Sequence, residues 1–518
     1  MRRTKVHKKE KSGKFYITTP IYYVNDVPHI GHAYTTIVAD VLARWHRLKG
    51  EDVFFLTGTD DHGKKVATAA KEAGKTPQAF ADSVVKRFHE AWKRLDISNN
   101  DFIRTTEKRH ERVVIEIIRL MNKAGDIYKG EYEGWYCVPD ETFLTETQLV
   151  NGKCPECGRD VEKVKEESYF FRLSKYQKAL LEHYKKNPDF ISPKNRRQEI
   201  INRVQAGLKD LSISRETVKW GIPFPGDSKH TLYVWGEALI NYLSAIDYPN
   251  AKFKKYWPAD IHLMAKEILW FHSVIWPAML MSCRLHLPKK VFAHGWLTID
   301  GEKMSKSRGN VVDPMKLSEK YSVDALRYFL IREIPLGDDG DFSEKALISR
   351  INGELVSDLG NLASRVLTLA ERCTPSKEGD KSRLQAIMGK DELSRKLDFK
   401  KIDKHVENVE LHHAINEIFS FVRTVNKYIN EKEPWKLQGK ELEQVVYNLL
   451  ESLRMIGILI SPFMPSTAEK LNRQLGVSQG AFKDLRMDGR RQGSPSGQNL
   501  GKFPGKPRKG EHLFKRIK

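Results

Sequence analysis

Apolar positions change their period twice along this chain. Phe15-Tyr16-Ile17-Thr18-Thr19 is an aromatic and β-branched run, which predicts a strand. Behind it, residues 33–48 place Ile37, Val38, Val41, Leu42 and Trp45 three and four apart, which predicts an amphipathic helix. The alternation of strand-like and helix-like segments runs to about residue 120. It returns over 261–336, where 291–299 reads as a further strand. Such alternation predicts α/β architecture, a doubly wound, Rossmann-like parallel sheet. After about residue 346 the pattern becomes long helical stretches, at 355–372, 411–427 and 441–460, which predicts an all-α bundle. The domain boundaries that follow are an N-terminal extension (1–14), the first half of the sheet domain (15–120), an insertion (121–232), the second half (233–345), the helical domain (346–485) and a low-complexity tail (486–518).

Two motifs sit at turns of this pattern. Pro28-His29-Ile30-Gly31-His32 lies between the first strand and the first helix. A strand-to-helix turn aims free backbone N–H groups and the positive end of the helix dipole at an anion, and Gly31 lets a ligand approach the backbone. Lys303-Met304-Ser305-Lys306-Ser307 follows the strand at 291–299 and puts two lysines in a Gly/Ser-flanked loop. Two cations on a loop suit a leaving pyrophosphate. Taken singly, a His-x-x-His or a Lys/Ser loop is commonplace. Their joint occurrence in this order points to phosphate chemistry.

Composition narrows the class. With 518 residues, 40% hydrophobic, and no apolar run of about 18 residues, the sequence predicts two or three domains, no membrane span and no secretory signal, hence a cytoplasmic protein. The net charge of +21 is uneven, since residues 1–14 carry +6 and residues 486–518 carry +8. Both ends are rich in Lys, Gly, Ser or Pro and poor in large apolar residues, which predicts disorder, their charge serving either a non-specific attraction to RNA phosphate or solubility alone. Five cysteines, an odd number, argue against a disulfide framework.

The two motifs are the signatures of class I aminoacyl-tRNA synthetases, which this chain resembles. Its flanking segments, Thr18-Thr19-Pro20-Ile21-Tyr22-Tyr23-Val24-Asn25, Phe55-Leu56-Thr57-Gly58-Thr59-Asp60-Asp61-His62-Gly63, Tyr233-Val234-Trp235, Phe271-His272 and Trp276-Pro277-Ala278, look like the methionyl branch. The resemblance implies an ATP-dependent ligase that forms methionyl-adenylate and passes the acyl group to the terminal adenosine of tRNA(Met), in protein synthesis including initiation. It implies that His29, His32, Lys303 and Lys306 are catalytic. The ATP site would comprise Asn25, His29, Gly31, His32, Glu267, His294, Gly295, Lys303 and Lys306, with Mg2+ carried by the nucleotide. Asp60, helped by Asp61, would take the methionine ammonium. Ile21, Tyr23, Trp235, Ala238, Leu239, Tyr242, Ile268 and His272 would line the thioether pocket. Asn361, Arg365 and Trp435 fall where the family reads the anticodon, and the insertion corresponds to its connective domain. A monomer without a membrane partner is expected, since no segment after the bundle is long enough for an additional RNA-binding barrel. The rivals are a leucine, isoleucine or valine enzyme, which would need a larger editing insertion, and a non-catalytic tRNA-binding relative, against which both intact signatures argue.

Several positions depart from the family pattern. The first Cys-x-x-Cys of its zinc knuckle is here Cys137-Val138-Pro139-Asp140, so a Zn2+ site would rest on Cys137, Asp140, Cys154 and Cys157. Trp235-Gly236-Glu237-Ala238 replaces a bulky residue and Asp, and Ala265-Lys266-Glu267 replaces Gly-Lys-Asp. Both changes predict weaker methionine or ATP affinity. Leu513-Phe514-Lys515-Arg516 lacks a proline often found there.

Overall fold

The computed structural model describes residues 13–138, 142–144, 146, 149–155, 157–304, 310–373, 388–389, 391–485 and 501–517. Six parallel strands form the central sheet: β1 (Lys14–Tyr23), β2 (Asp52–Asp60), β3 (Asp101–Arg104), β4 (Ile191–Ser192), β5 (Ile261–Ala265) and β6 (Val291–His294), in spatial order β3-β2-β1-β5-β6-β4. β1 is flanked by strands from opposite ends of the sequence order, so a crevice opens at the carboxyl ends of β1 and β5. The register of β1 against β2 shifts between Thr18, which faces Leu56, and Ile21, which faces Gly58. Thr19 and Pro20 thus oppose one residue of β2, and a proline without an N–H fits such a bulge. The bulge re-aims Ile21 and Tyr23 at the strand's mouth.

Helix α1 (Ile30–Leu48) packs on the sheet with the predicted stripe, since Ile37, Val38, Val41, Leu42 and Trp45 are fully buried. Helix α2 (Lys108–Lys123) covers the sheet beyond β3, and the short α3 (Val234–Ala238) enters the crevice from the second half of the chain.

The insertion builds a separate four-stranded antiparallel sheet, ordered Thr142–Leu144, Ile127–Cys137, Glu162–Phe171, Leu211–Ser212. One part of 121–232 belongs elsewhere. Ile191 and Ser192 pair with β6 as the edge of the central sheet. Two residues are too short a run for any period to mark.

The helical domain begins with one unbroken rod. An α-turn segment (Glu344–Arg350) passes into a π-helix (Ile351–Gly360) and then α4 (Asn361–Cys373). Helices α5 (Leu411–Lys432), α6 (Gly439–Ile460) and α7 (Pro465–Leu475) complete the bundle, with α6 buried on all sides over most of its length. Arg327, fully buried, binds the bundle to the sheet domain. Its guanidinium donates to Asp40 of α1 at 2.7 Å and to the carbonyls of Pro462 at 2.9 Å and Phe463 at 3.0 Å.

The expected disordered tail needs correction over 501–517. Gly501–Lys502 pairs with Met388–Gly389, Phe503 is buried, and Ile517 exchanges two 2.9 Å hydrogen bonds with Asn352. Composition misled here because the segment is held mainly through its backbone and a few apolar side chains, with no repeating apolar face.

Candidate active site

The β1–α1 turn is ordered by its own histidines. His29 is the N-cap of α1 in extended conformation, and its Nδ1 accepts the Gly31 N–H at 3.1 Å. His32 Nδ1 accepts the His29 N–H at 3.2 Å, and the two rings stack with centroids 3.8 Å apart. With both Nδ1 atoms accepting from backbone, a neutral ring carries its proton on Nε2 and presents Nε2–H outward, an assignment that follows from the hydrogen-bond network. Burial, reinforced by His29 and Lys65, holds the His32 imidazole well below the usual histidine range, so it is neutral. A Cβ at position 31 would lie 2.9 Å from His29 Cε1, so this histidine cap requires glycine there.

The lysine loop reaches the same turn. Met304 Cε stands 3.6 Å from the Gly31 Cβ position, and the Ile30 N–H donates to Val312 O at 3.0 Å, so both ends of the loop abut the N-terminus of α1. The Lys303 side chain and all of Lys306 lie outside the described residues.

On the far wall, His294 ends β6. Its Nδ1–H donates to Gly295 O at 2.7 Å and its Nε2 accepts from Thr35 Oγ1 of α1 at 2.7 Å, while burial lowers its pKa. Gly295 is indispensable to this corner, since a Cβ would sit 2.1 Å from Asp338 O. Glu267, just past β5, accepts from Trp296 Nε1 at 2.9 Å, and Lys266 lies over the Trp296 ring at 3.9 Å while pairing with Asp339 at 2.6 Å. Asn25 lies in the turn between β1 and α1.

The expected thioether pocket spans two adjoining apolar clusters. Trp235 and Ala238 of α3 cluster with Ile21, Tyr23, Ile268 and Phe271. The Trp235 ring stacks on Phe271 at 3.7 Å and meets the edge of Tyr23 at 6.3 Å. Leu239 and Tyr242 belong to the larger core of the sheet domain, against which Ile21, Ile268 and Phe271 also pack, so the two clusters meet along these three residues. Tyr242 is joined to His272 by a 2.7 Å bond, and His272 donates from Nδ1 to Ile268 O at 2.9 Å. Burial drops His272 to about 4, so it is a neutral spacer behind Ile268. Phe271 was absent from the expected lining, although its neighbour His272 was included.

Asp60 and Asp61 have different fates. Asp60 is buried at the end of β2, opposite Tyr23. Asp61 accepts from Arg104 Nε at 2.7 Å and Thr106 Oγ1 at 2.8 Å, both on Oδ2, while its buried Oδ1 has no hydrogen-bond partner among the described residues.

Sequence reasoning missed the group that fixes α3. Glu237, fully buried, accepts from His62 Nδ1 at 2.9 Å and is bonded to His110 Nε2 at 2.7 Å. His110 is backed by Ser244 Oγ at 3.0 Å. Burial would raise the Glu237 pKa, but the two imidazoles outweigh it and the net shift is downward. Burial would likewise lower His62, and the Glu237 bond and charge reverse that into a net rise. A carboxylate is therefore clamped between the β2 loop and α2, directly behind Trp235 and Ala238.

In the insertion, Cys137, Cys154 and Cys157 bring their sulfurs within 4.8 Å of one another, with Cys137 and Cys157 3.4 Å apart. Asp140 lies outside the described residues. In the bundle, Arg365 of α4 donates to Asn430 at the end of α5 at 2.9 Å. Trp435, five residues beyond Asn430, is 48% exposed. Asn361, one turn before Arg365, shares its face of α4.

The family model "tRNA synthetases class I (M)" matches residues 15–165 and 159–367, and "Anticodon-binding domain of tRNA ligase" matches 396–487. A methionine–tRNA ligase of Caldanaerobacter subterraneus is 52% identical over 483 residues, covering 90% of this chain and 74% of its own length. One of Thermotoga maritima is 49% identical, covering 91% and 76%. Mycobacterium tuberculosis methionyl-tRNA synthetase in complex with methionyl-adenylate superposes with a TM-score of 0.89 at 40% identity, covering 97% of this chain and all of the other. Among the described residues no helix is long and apolar enough to cross a membrane.

Proposed function

The chain belongs to the methionyl-tRNA synthetases of class I, a methionine–tRNA ligase by kind, and on that premise we propose how its residues carry the reaction. Methionine carboxylate attacks the α-phosphorus of ATP in line, pyrophosphate leaves, and the acyl group passes from AMP to the terminal ribose of tRNA(Met). No protein nucleophile is required, so the residues act by positioning and by meeting charge that grows on phosphoryl oxygens.

His29 and His32 present neutral Nε2–H donors to those oxygens, beside the N-terminus of α1. Lys303 and Lys306 close over the β and γ phosphates. Asn25, Gly31, Glu267, His294 and Gly295 frame the nucleotide. Mg2+, held by the phosphates, would add charge neutralisation of the leaving group. Asp60 binds the methionine ammonium. Ile21, Tyr23, Trp235, Ala238, Leu239, Tyr242, Ile268 and His272, joined by Phe271, enclose the thioether, whose sulfur gains about 0.3–1.5 kcal/mol per aromatic contact. The observation that carries this reading is the meeting of Met304 and Val312 with the Gly31 turn, which unites two motifs some 270 residues apart on one anion-binding helix end.

Asn361, Arg365 and Trp435 read the anticodon, with the exposed indole as a stacking platform and the amide and guanidinium as edge readers. Cys137, Cys154 and Cys157 suit Zn2+, whose tetrahedral thiolates at 2.3 Å stand about 3.8 Å apart. Zinc there would staple the knuckle.

The test is pyrophosphate exchange into ATP driven by each amino acid in turn. Exchange with methionine supports the reading. Exchange driven only by leucine, isoleucine or valine, or tRNA binding without exchange, would overturn it.

A further inference from the structure

Residues 501–517 form a strap along the outside of the helical domain. Gly505 packs its backbone against Leu475 O, and the Arg508 N–H donates to Gln474 O at 2.8 Å, which fixes the strap to the end of α7. The Lys509 N–H then donates to Glu371 Oε1 at 3.1 Å, Phe514 lies beside Gly360, and Ile517 is bonded to Asn352. Successive strap residues therefore meet successively earlier residues of the long rod, so the two run antiparallel. Gly360, Ala363, Ser364 and Leu367 share a small cavity with the strap at residues 509–513. Asn361 and Arg365 are one residue, about 100° of helix, round from Gly360 and Ser364. The strap thus borders the face read above as the anticodon contact.

Its chemistry is lopsided. The anchors are mainly backbone groups and apolar side chains, whereas Lys506, Arg508, Lys509, Lys515 and Arg516 are all exposed, with the Arg516 side chain reaching the rod through a 3.4 Å bond to Ser357 Oγ. Among the described residues none of these five forms an ion pair. The strap's one acid, Glu511, is turned to Lys470 at 3.6 Å. Five unneutralised cations within eleven residues, held to a rigid rod, form a rail whose self-repulsion is relieved by a polyanion of regular spacing.

We infer that this strap is a phosphate rail for tRNA: its five cations bind the backbone of the anticodon stem while Asn361, Arg365 and Trp435 engage the loop. The inference rests on the anticodon reading given above. Phosphate contacts set register and add salt-dependent affinity without base specificity.

The experiment compares the chain with a variant carrying Lys506→Gln, Arg508→Gln, Lys509→Gln, Lys515→Gln and Arg516→Gln. A control neutralises Lys71, Lys185, Lys186, Lys254 and Arg284, exposed cations elsewhere. Affinity for a tRNA(Met) transcript is measured from 50 to 300 mM KCl. At about 0.7–0.9 per phosphate contact, the log–log salt slope of the strap variant should be shallower by at least two, with affinity at 100 mM salt down at least tenfold. Methionine-driven exchange should be unchanged, and an acceptor-stem minihelix lacking the anticodon arm should bind the variant as it binds the parent. A slope and affinity equal to the control's, or an equal loss with the minihelix, would overturn the rail. Absence of methionine-driven exchange in the parent chain would instead overturn the enzymatic reading, so the two failures are distinct.

Discussion

Replacing Glu237 tests whether a buried charge holds the methionine pocket in place. The carboxylate is fully buried and joined to His62 and His110. Glu237→Gln keeps size and can keep both hydrogen bonds, since the amide has one acceptor and one donor end, but it removes the charge. Hydrogen bonds to charged groups contribute about 1.5–3 kcal/mol and neutral ones about 0.5–1.5, so two weakened bonds should cost about 2 kcal/mol. Glu237→Ala strands both imidazoles in an apolar site and should cost about 3–5 kcal/mol. The pH dependence has a definite sign. His62 has a raised pKa, so its contribution is complete below its usual 6.5 and fades as pH rises through the folded value. Glu237 has a lowered pKa, so its contribution is complete above its usual 4.5 and fades as pH falls through the folded value. The pair therefore stabilises most between about pH 4.5 and 6.5. Thermal midpoints of parent and Glu237→Gln, followed by tryptophan fluorescence from pH 5.5 to 9, should differ most near pH 6 and converge toward pH 9. The variant's KM for methionine should rise more than its kcat falls, because α3 carries Trp235 and Ala238. A stability deficit that is flat or grows from pH 6 to 9 would refute the charged clamp.

Gly31→Ala puts a Cβ 2.9 Å from His29 Cε1 and should displace the ring from its capping position, lowering methionine-driven exchange about 100-fold, on the scale of losing one preorganised donor. Retention of more than half the parental rate would show that the His29 cap is dispensable. Trp435→Ala removes a half-exposed indole and should leave stability and exchange nearly intact, while tRNA charging falls by about 10- to 100-fold in kcat/KM, the value of about 1–3 kcal/mol of base stacking. Equal loss in both assays would reject the anticodon role. Arg327→Ala removes one partner of the buried Asp40 carboxylate, which keeps Arg44 at 2.8 Å and the Ser98 N–H at 2.7 Å, and it also unpairs the carbonyls of Pro462 and Phe463, so it should lower stability by about 2–4 kcal/mol in thermal unfolding, more than Arg44→Ala does. Equal losses in the two variants would mean that the carbonyl contacts to Pro462 and Phe463 add nothing beyond the charge pair.

What the sequence disclosed follows the range of the interactions involved. Strand β1, helix α1 and the bundle helices were legible because each buries a periodic face, and periodicity is a local signal. The strand Ile191–Ser192 was illegible because its reason for existing, the open edge of β6, lies a hundred residues away. Asp61 stands beside Asp60 in sequence as its helper, yet Arg104 takes one of its two oxygens, and nothing near residue 61 announces that. Glu237 read as a lengthened aspartate with a possible cost to affinity, whereas the fold gives its longer side chain two imidazoles from distant segments. Phe271 shows the same limit from the other side: it is the neighbour of His272 in sequence, but only the fold stacks its ring on Trp235. Residues 501–517 carry the argument furthest, for a segment without an apolar period can still be fixed when backbone bonds and isolated side chains such as Phe503 meet a preformed surface. Such order is conditional on that surface, so weakening the strap's anchor at Asn352 should free its end while leaving the rod's own helix unchanged.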